Sequence, residues 1–459
     1  MLSNNTIFKR LRGKRILILG FGREGKSSLA LIQKFLPHAI VGIADKNESA
    51  FKDLNVNANL KIYFGENYFD AINDYDIVIK TPGISLLDKD VDLSKITSQT
   101  DLFLEAYHSQ IIGITGTKGK STTSTLIYHL LKESGNDTIL AGNIGIPIFD
   151  IIEKINNRTI IVFELSAHQL QFIHRSPHIG ILLNVFEEHL DHFGTFEAYR
   201  DAKLNIIRKM GEKDWAVTNA EFCYEADKMM VHSLNYQYYD FDVNWDDVPL
   251  KGDHNRLNVK AALCAIYAFG IPVADVLPHL YTFQPLEHRQ ELVGTFGGVT
   301  FYNDSISTIP QAAIAAMQTI KNVTFLLLGG YDREIDYSPL IEYLTKNPVK
   351  HILYTGKAGK RMSEMLQDAG YQGDIKNFKD LNEAFEIIKS LSKTVTSACS
   401  RQPPQAMINT RTLKNAADCS RIYQDRSCPS PARDNNRTST RHHIHLSART
   451  CHILYSHQI

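Results

Sequence analysis

Short apolar runs rich in β-branched residues recur along the chain: Lys14–Leu19, Ala39–Ala44, Tyr75–Lys80, Ile111–Ile114, Thr159–Phe163, Ile179–Leu183, Trp215–Asn219, Val299–Tyr302, Val323–Leu328 and His351–Tyr354. Most are continuous rather than alternating, the pattern of strands covered on both faces, as in parallel sheets. Between them apolar residues step at helical spacing. Examples are Leu29/Leu31/Ile32, Leu126/Ile127/Leu130/Leu131, the amphipathic Tyr199–Leu204, Val259/Ala262/Ala265 and Leu381–Leu391. The alternation predicts an α/β fold. Polar residues gather just past the strand ends, where open α/β sheets bind their ligands.

At 459 residues the chain exceeds one ordinary core, and two or three domains are expected. The pattern divides into a Rossmann-like unit at 1–107, a central phosphate-loop unit at 108–286 and a second Rossmann-like unit at 287–393. Lys+Arg and Asp+Glu both total 50, so the net charge is zero and binding of nucleic acid through bulk charge is not expected. No apolar run approaches the ~18 residues of a membrane span, and the N-terminus lacks an apolar leader, so a cytoplasmic protein is expected. Six cysteines without a C-x-x-C pair indicate neither a disulfide framework nor a zinc site.

The most informative stretch is Ile111–Thr123, IIGITGTKGKSTT. A strand ends in Gly116-Thr117-Lys118-Gly119, and Lys120, Ser121 and Thr122 open a helix: the layout of a phosphate-binding loop. The glycines let backbone N–H groups face phosphate oxygens, and the helix N-terminus adds partial positive charge. Lys120 would reach the outer phosphates of ATP, and the Ser121 hydroxyl a Mg²⁺ ion. Ile114 stands where the strict motif has its first glycine.

Nearer the N-terminus, Gly20-Phe21-Gly22-Arg23-Glu24-Gly25 follows a strand and opens a helix, and the next strand ends at Asp45. This is the dinucleotide fingerprint, with Asp45 placed to meet a ribose hydroxyl; in the alternative the glycines only permit close helix–strand packing. Thr81-Pro82-Gly83 forms a turn beyond a neighbouring strand. Downstream of the phosphate loop, Glu164 ends one strand, and Asn184, Glu187-Glu188-His189 and Asp191-His192 follow another. Acids and histidines at adjacent strand ends can converge on the Mg²⁺ of a bound nucleotide. Lys203 is by default a solvated lysine. Asn255 and Asn258 lie within about one helical turn of each other.

Taken together, GTKGKST, GNIG, ELSAHQL, NVFEEHLDHFG, AKL, HNRLN, EHRQE, YNDS and LLGGYDRE resemble the Mur ligase superfamily of ATP-dependent amide-bond formers. The resemblance runs from about residue 14 to 393 and points to the branch that adds D-glutamate to UDP-N-acetylmuramoyl-L-alanine. It implies a three-domain, cytoplasmic, monomeric enzyme using ATP and Mg²⁺ to make an acyl phosphate in peptidoglycan precursor synthesis. It also implies residue roles. Lys120, His189 and Lys203 would be catalytic. Gly116–Thr122, Asn258, Arg289 and Asp304 would hold ATP. Ser121, Glu164, His189 and a carbamylated Lys203 would hold the metal. Gly22, Arg23, Asp45, Thr81, Gly83 and Asn143 would hold the UDP-sugar, and Thr308 and Arg333 would lie near D-glutamate. Two positions depart from the family pattern: Ile306 replaces a lysine, and Arg333 stands where lysine is frequent. Other Mur-type or folylpolyglutamate-type ligases are the alternatives, with an inactive nucleotide-binding protein behind them. A nicotinamide dehydrogenase has no use for GTKGKST.

The character changes from Thr394. Residues 394–459 contain no Glu, four of the six cysteines and no sustained strand or helix period. A back-translation of Cys399–Ala416, read from the third base of the Ala398 codon, spells LLSPAASSYDQYKNFEER, a strand, small-residue turn and helix start that resemble the family's last motif. The tail is therefore expected to be a disordered, frameshifted reading. The third domain is expected to be incomplete, lacking its last strand and helix.

Overall fold

The computed structural model describes residues 6–395 and 405–409, apart from 53, 55–57, 143–145, 287–289, 297, 306, 308, 321 and 333. Within them the chain forms three sheets with helices packed on their faces, the α/β class expected from the pattern.

The first sheet contains β1 (Ile16–Leu19), β2 (Val41–Asp45), β3 (Leu60–Phe64), β4 (Ile77–Lys80) and β5 (Ile96–Thr97), all parallel, in the order β3-β2-β1-β4-β5. The strand order reverses between β1 and β4, and Leu19 pairs with both Ala44 and Lys80. The glycine turn after β1 and the Thr81 turn after β4 therefore flank one crevice. A Cβ on Gly25 would lie 2.2 Å from the carbonyl oxygen of Gly20, so the last fingerprint glycine is required for the helix Arg23–Phe35 to approach the sheet.

The second sheet is also all parallel: β6 (Ile111–Thr115), β7 (Thr138–Gly142), β8 (Ile160–Glu164), β9 (Ile179–Leu182), β10 (Trp215–Thr218) and β11 (His232–Asn235), in the order β11-β10-β9-β6-β8-β7. β6 lies between β8 and β9, with Ile114 opposite Glu164 and Thr115 opposite Leu182. This register delivers the phosphate loop, the Glu164 carboxylate and the segment after Leu183 to one edge.

The third sheet holds β12 (Glu291–Phe296), β13 (Val299–Asn303), β14 (Val323–Gly329), β15 (His351–Thr355), β16 (Asp374–Asn377) and β17 (Gln405–Asn409), in the order β12-β13-β17-β14-β15-β16. Only the β12–β13 pair is antiparallel. Here one expectation is corrected. The tail contributes a strand, β17, which lies in the centre of the sheet between β13 and β14. A gap between two parallel strands presents unpaired N–H and C=O groups on both sides, so an extended segment placed there gains two ladders at once. The expected last helix falls outside the described residues.

The domains are not equally joined. One apolar cluster runs without a break from Ile7, Phe8 and Ile18 of the first unit through Phe103 to Phe149 and Phe163 of the second, and the Phe103 and Phe163 rings meet edge to face at 5.8 Å. Polar contacts reinforce the joint: Ser27 Oγ donates to Asp150 at 2.6 Å, and Lys34 pairs with Glu153. The two buried clusters of the third unit draw only on residues 299–388. A hydrogen bond of 3.1 Å between Gln290 Nε2 and His254 Nε2 reaches from it to the second unit.

Candidate active site

The phosphate loop is built by its own backbone. Gly119 has φ +87°, a left-handed conformation that costs an L side chain energy, and a Cβ there would lie 2.5 Å from Asn258 Oδ1. Asn184, just past β9, braces the loop from below. Its Oδ1 accepts from Lys118 N at 2.8 Å, its Nδ2 donates to Lys118 O at 3.0 Å, and its carbonyl accepts from Thr117 N at 2.8 Å. The Thr117 hydroxyl lies 3.1 Å from both Phe186 O and the Tyr199 hydroxyl. The sequence pattern places Asn184 past a strand end and Tyr199 on an amphipathic helix, and the structure adds that both brace the loop.

The loop separates two cavities. The first, about 380 Å³, is lined by Pro82 and Gly83 from the first unit and by Lys120, Ser166, His168, Glu188, His189, Tyr199 and Lys203 from the second. Lys120 Nζ donates to the carbonyls of Gly116 and Thr117 at 2.9 and 3.0 Å, over the mouth of the loop. Lys203, on the helix Phe196–Arg208, is not solvated: it is 1% exposed, donates to Gly116 O at 2.9 Å and lies 4.7 Å from the centre of the Tyr199 ring. Burial holds its ammonium well below the usual lysine range, reinforced by Lys120 and Lys118 and opposed by Glu188 and Glu164. The default expectation for this residue is thus corrected; the amphipathic helix turns it inward.

The acids face these lysines. Glu164 is buried at the end of β8, with Ser124 Oγ 3.4 Å from its Oε2. Glu188 lies 3.5 Å from Lys118 Nζ and 3.9 Å from His189 Nε2. Burial would push the Glu188 carboxyl up, but Lys118, His189, Lys120 and Lys203 together hold it below its ordinary value. Glu188 thus belongs to the site more firmly than its place in a run of acids indicates. His189 takes a left-handed backbone conformation, φ +60°, which turns the chain into the short helix Leu190–Phe193. Asp191 is exposed, and His192 is buried with its Nε2 3.3 Å from Gln171 Oε1, so neither joins the acids. The imidazole of His168 meets those of His189 and His192 edge to face at 4.8 and 4.2 Å. Glu164 and Glu188, both close enough to Lys203 to oppose the lowering of its ammonium, are hard oxygen donors of the kind Mg²⁺ takes.

The second cavity, about 340 Å³, opens on the other side of Gly119. It is lined by Lys118, Thr122, Asn219, Tyr236, His254 and Asn258 of the second unit and by Gln290, Asp304 and Ser307 of the third, among others. Asn258 Nδ2 donates to Asn255 Oδ1 at 3.1 Å, as their helical spacing led us to expect. Asp304, 3% exposed, accepts from Gln290 N at 3.1 Å. Its walls belong to two domains, so movement of the third unit would open or close it.

In the first unit, Asp45 clamps the fingerprint turn: Oδ2 accepts from Phe21 N at 2.7 Å and Oδ1 from Asn47 N at 2.9 Å. Both oxygens already serve the backbone, so a ribose would share them. Gly22 and Arg23 are exposed at the start of the helix. Thr81 Oγ1 donates to Leu19 O at 3.1 Å and packs where a Cβ on Gly20 would be, 2.1 Å away. Asn143, Arg289, Thr308 and Arg333, and the departure at Ile306, lie outside the described residues.

One cluster stands apart, at the opposite edge of the second sheet. His108 Nε2 and His178 Nδ1 each lie 3.0 Å from Asp214 Oδ1, a spacing that metal ligands could share. Arg175 Nη2 lies 2.7 Å from the same His108 nitrogen and 3.3 Å from Asp214 Oδ2. The guanidinium supplies the positive charge there, and the group reads as an ion-pair hub.

The comparisons bear on this geometry. Residues 114–244 match the model of the Mur ligase middle domain and residues 288–397 that of the Mur ligase, glutamate ligase domain; the second match stops at the start of the tail. A protein of Symbiobacterium thermophilum named UDP-N-acetylmuramoylalanine--D-glutamate ligase is 32% identical over 413 residues, covering 82% of this chain and 90% of its own. A protein of Xanthomonas euvesicatoria pv. vesicatoria named UDP-N-acetylmuramoyl-L-alanine--L-glutamate ligase is 30% identical, covering 83% and 88%. Among solved structures, MurF from Acinetobacter baumannii shares the fold with a TM-score of 0.58 at 16% identity, over 89% of this chain and 90% of that one. The MurF ligase from Thermotoga maritima in complex with ADP does so with a TM-score of 0.54 at 18% identity, over 90% and 95%. A three-sheet α/β chain with this loop, matched at these identities and over these lengths, belongs to the Mur ligase family.

Proposed function

We propose that the chain is an ATP-dependent ligase that joins D-glutamate to the alanine carboxylate of UDP-N-acetylmuramoyl-L-alanine. The observation that carries the reading is the division of labour at the phosphate loop. Lys118 and Gly119 face a cavity sized for the nucleoside, and Lys120 faces one that contains the acids and reaches the fingerprint domain. The outer phosphate of ATP would lie between them. A carboxylate is a poor electrophile, and transfer of the phosphoryl group converts it to an acyl phosphate with a good leaving group. The amine of glutamate then attacks the acyl carbon, and the tetrahedral intermediate collapses to amide and phosphate. Phosphoryl transfer calls for positioning and charge neutralisation more than covalent help, and Lys118, Lys120 and the helix N-terminus supply both.

Glu164, Ser121 and His189 would hold Mg²⁺, which when bound neutralises phosphate charge. The depressed ammonium of Lys203 favours the neutral amine, the form that adds CO₂; a carbamate there would add one more carboxylate-like oxygen ligand. Asn258 and Asp304 would contact the nucleotide, and Asp45, Thr81 and Gly83 the UDP-sugar. Arg289 would also contact ATP, Asn143 the UDP-sugar, and Thr308 and Arg333 the glutamate. No helix among the described residues is long and apolar enough to cross a membrane. We place the chain in the cytoplasm as a monomer working on small molecules.

The test is phosphate release from ATP with UDP-N-acetylmuramoyl-L-alanine, with and without each glutamate enantiomer. Release that requires D-glutamate supports the reading. Release that requires L-glutamate moves it to the activity for which the Xanthomonas relative is named. ATP binding without release under either condition sinks it.

A further inference from the structure

The fingerprint turn carries an acid where a phosphate-binding turn is best without one. Glu24 lies in the first turn of its helix, yet its side chain points inward rather than toward a ligand. Its Oε1 accepts from Gln169 Nε2, on the short helix Ala167–Leu170 of the second unit, at 3.3 Å, and its Oε2 is buried without a hydrogen-bond partner. Gln169 in turn fastens Ser166: its Oε1 accepts from Ser166 N at 3.0 Å and from Ser166 Oγ at 3.2 Å. Ser166 lines the cavity that contains Lys120 and His189.

On the other side Glu24 acts on a lysine through its charge, without a hydrogen bond. Lys80, at the end of β4, is 2% exposed, and the Glu24 carboxylate supports its charge against burial. Its Nζ donates to Thr81 O at 3.1 Å and lies 5.4 Å from the centre of the Phe172 ring. That hydrogen bond shapes the Thr81-Pro82-Gly83 turn, whose last two residues form the opposite wall of the same cavity. The hydrogen bond from Gln169 therefore ties the second unit's wall to Glu24, while the wall of the first unit feels the same half-buried carboxylate through its charge on Lys80. Sequence reading passed over Glu24 because it fills a free position of the glycine motif, and Lys80 because it closes a strand.

We propose that Glu24 is a positioning residue whose carboxylate, hydrogen-bonded to Gln169 across the two units and facing the charge of Lys80, keeps the two cavity walls in register around the substrate end that is to be activated. The substrate identity rests on the ligase reading above. The groups facing the pair are Lys80 from β4, Gln169 and His168 from the short helix, Gln99 Nε2, which donates to Glu24 O at 2.7 Å, and His192 beside Lys80. Burial pushes the Glu24 carboxyl up to about 7, against Gln169 and Lys80. Burial also lowers the Lys80 ammonium to about 8, so both charges are present only between about 7 and 8, and the carboxylate is lost as pH falls through the lower value.

The experiment is steady-state kinetics of Glu24→Gln, Lys80→Met and the double variant of the full chain. Glu24→Gln should raise KM for UDP-N-acetylmuramoyl-L-alanine roughly tenfold, leave KM for ATP within about twofold and remove the acid limb near pH 7 from the kcat/KM profile. The double variant should be no worse than the more affected single one. Should Glu24→Gln fold poorly, Gln169→Glu, which keeps a side-chain oxygen for Ser166 and removes the amide donor to Glu24, must give the same KM split. Unchanged KM values, equal rises in both, or survival of the acid limb in Glu24→Gln overturns the proposal. If the wild-type chain releases no phosphate, the ligase reading fails on its own. The bridge is then judged by thermal melting, where non-additive Tm losses for Glu24→Gln and Lys80→Met support it and additive losses overturn it.

Discussion

Lys203 Nζ donates a 2.9 Å hydrogen bond to the carbonyl of Gly116, so a buried amine from one helix is fixed against the first glycine of the phosphate loop. Two roles are proposed for this side chain: it holds the loop, and in its amine form it would take up CO₂ as a carbamate. Lys203→Ala removes both. We expect kcat to fall by about 10²–10³ with ATP binding changed less than about threefold, measured by phosphate release and by nucleotide titration. Lys203→Arg keeps a cation but has no amine to carbamylate, and it should be equally inactive. Full activity in Lys203→Arg would remove the carbamate from the mechanism.

Gly119→Ala tests the loop itself. The new Cβ would lie 2.5 Å from Asn258 Oδ1 on a backbone with φ +87°. Backbone strain of about 1 kcal/mol and the steric clash act together, and KM for ATP should rise about tenfold or more. Asn258→Ala relieves the clash but also removes a residue proposed to contact the nucleotide, so the double variant should raise KM for ATP by less than the product of the two single rises.

Much of this site could be read in the chain. The phosphate loop, Glu164, His189 and the inward helix start at His254 are local patterns, each a strand or helix end with its polar residue. Their convergence follows from the order of the second sheet, since β8 and β9 flank β6. Contacts between segments distant in sequence were not legible. Asn184 under the loop, Tyr199 against Thr117, Glu188 against Lys118, and the Glu24–Gln169 link join residues 60 or more positions apart. Each of those residue types has a commoner surface or packing role. The burial of Lys203 was hidden for the same reason, because helical periodicity shows which residues share a face and not what that face meets. The central strand of the third sheet was missed because Gln405–Asn409 lies in a stretch without strand periodicity.

The ion-pair hub at the far edge of the second sheet should govern acid stability. Burial would raise the Asp214 carboxyl, but His108, His178 and the Gly211 N–H hold it well below the usual carboxylate range. A carboxyl depressed by folding stabilises above its unfolded pKa, near 4, and the benefit is lost as pH falls through the folded value. Asp214→Ala should therefore cost about 3 kcal/mol at neutral pH, and less below about pH 4, in denaturant melts. ATP affinity should be untouched, because the hub lies at the strand edge away from the loop. An equal loss at both pH values would assign the cost to packing alone.

The tail offers the last test. β17 pairs with Thr300–Asn303 on one side and with β14 on the other, so truncation after Val395 opens two strand edges in the middle of the third sheet. Phe301, Phe325 and Leu327, all fully buried, lie on those neighbouring strands. Exposed edges and apolar surface favour aggregation, and we expect the truncated chain to melt lower, bind a hydrophobic dye and lose ligation. We also propose that the tail is a shifted reading frame. Leu-Leu-Ser-Pro in the restored frame is more apolar than Gln405–Asn409 and would fill the same slot. A chain carrying the restored segment from Ala398 onward should melt higher than the printed one and turn over faster with glutamate. Sequencing the gene across codons 390–420 checks the premise. A confirmed in-frame tail, together with a restored chain no more stable than the printed one, would show that Gln405–Asn409 is an adequate native strand.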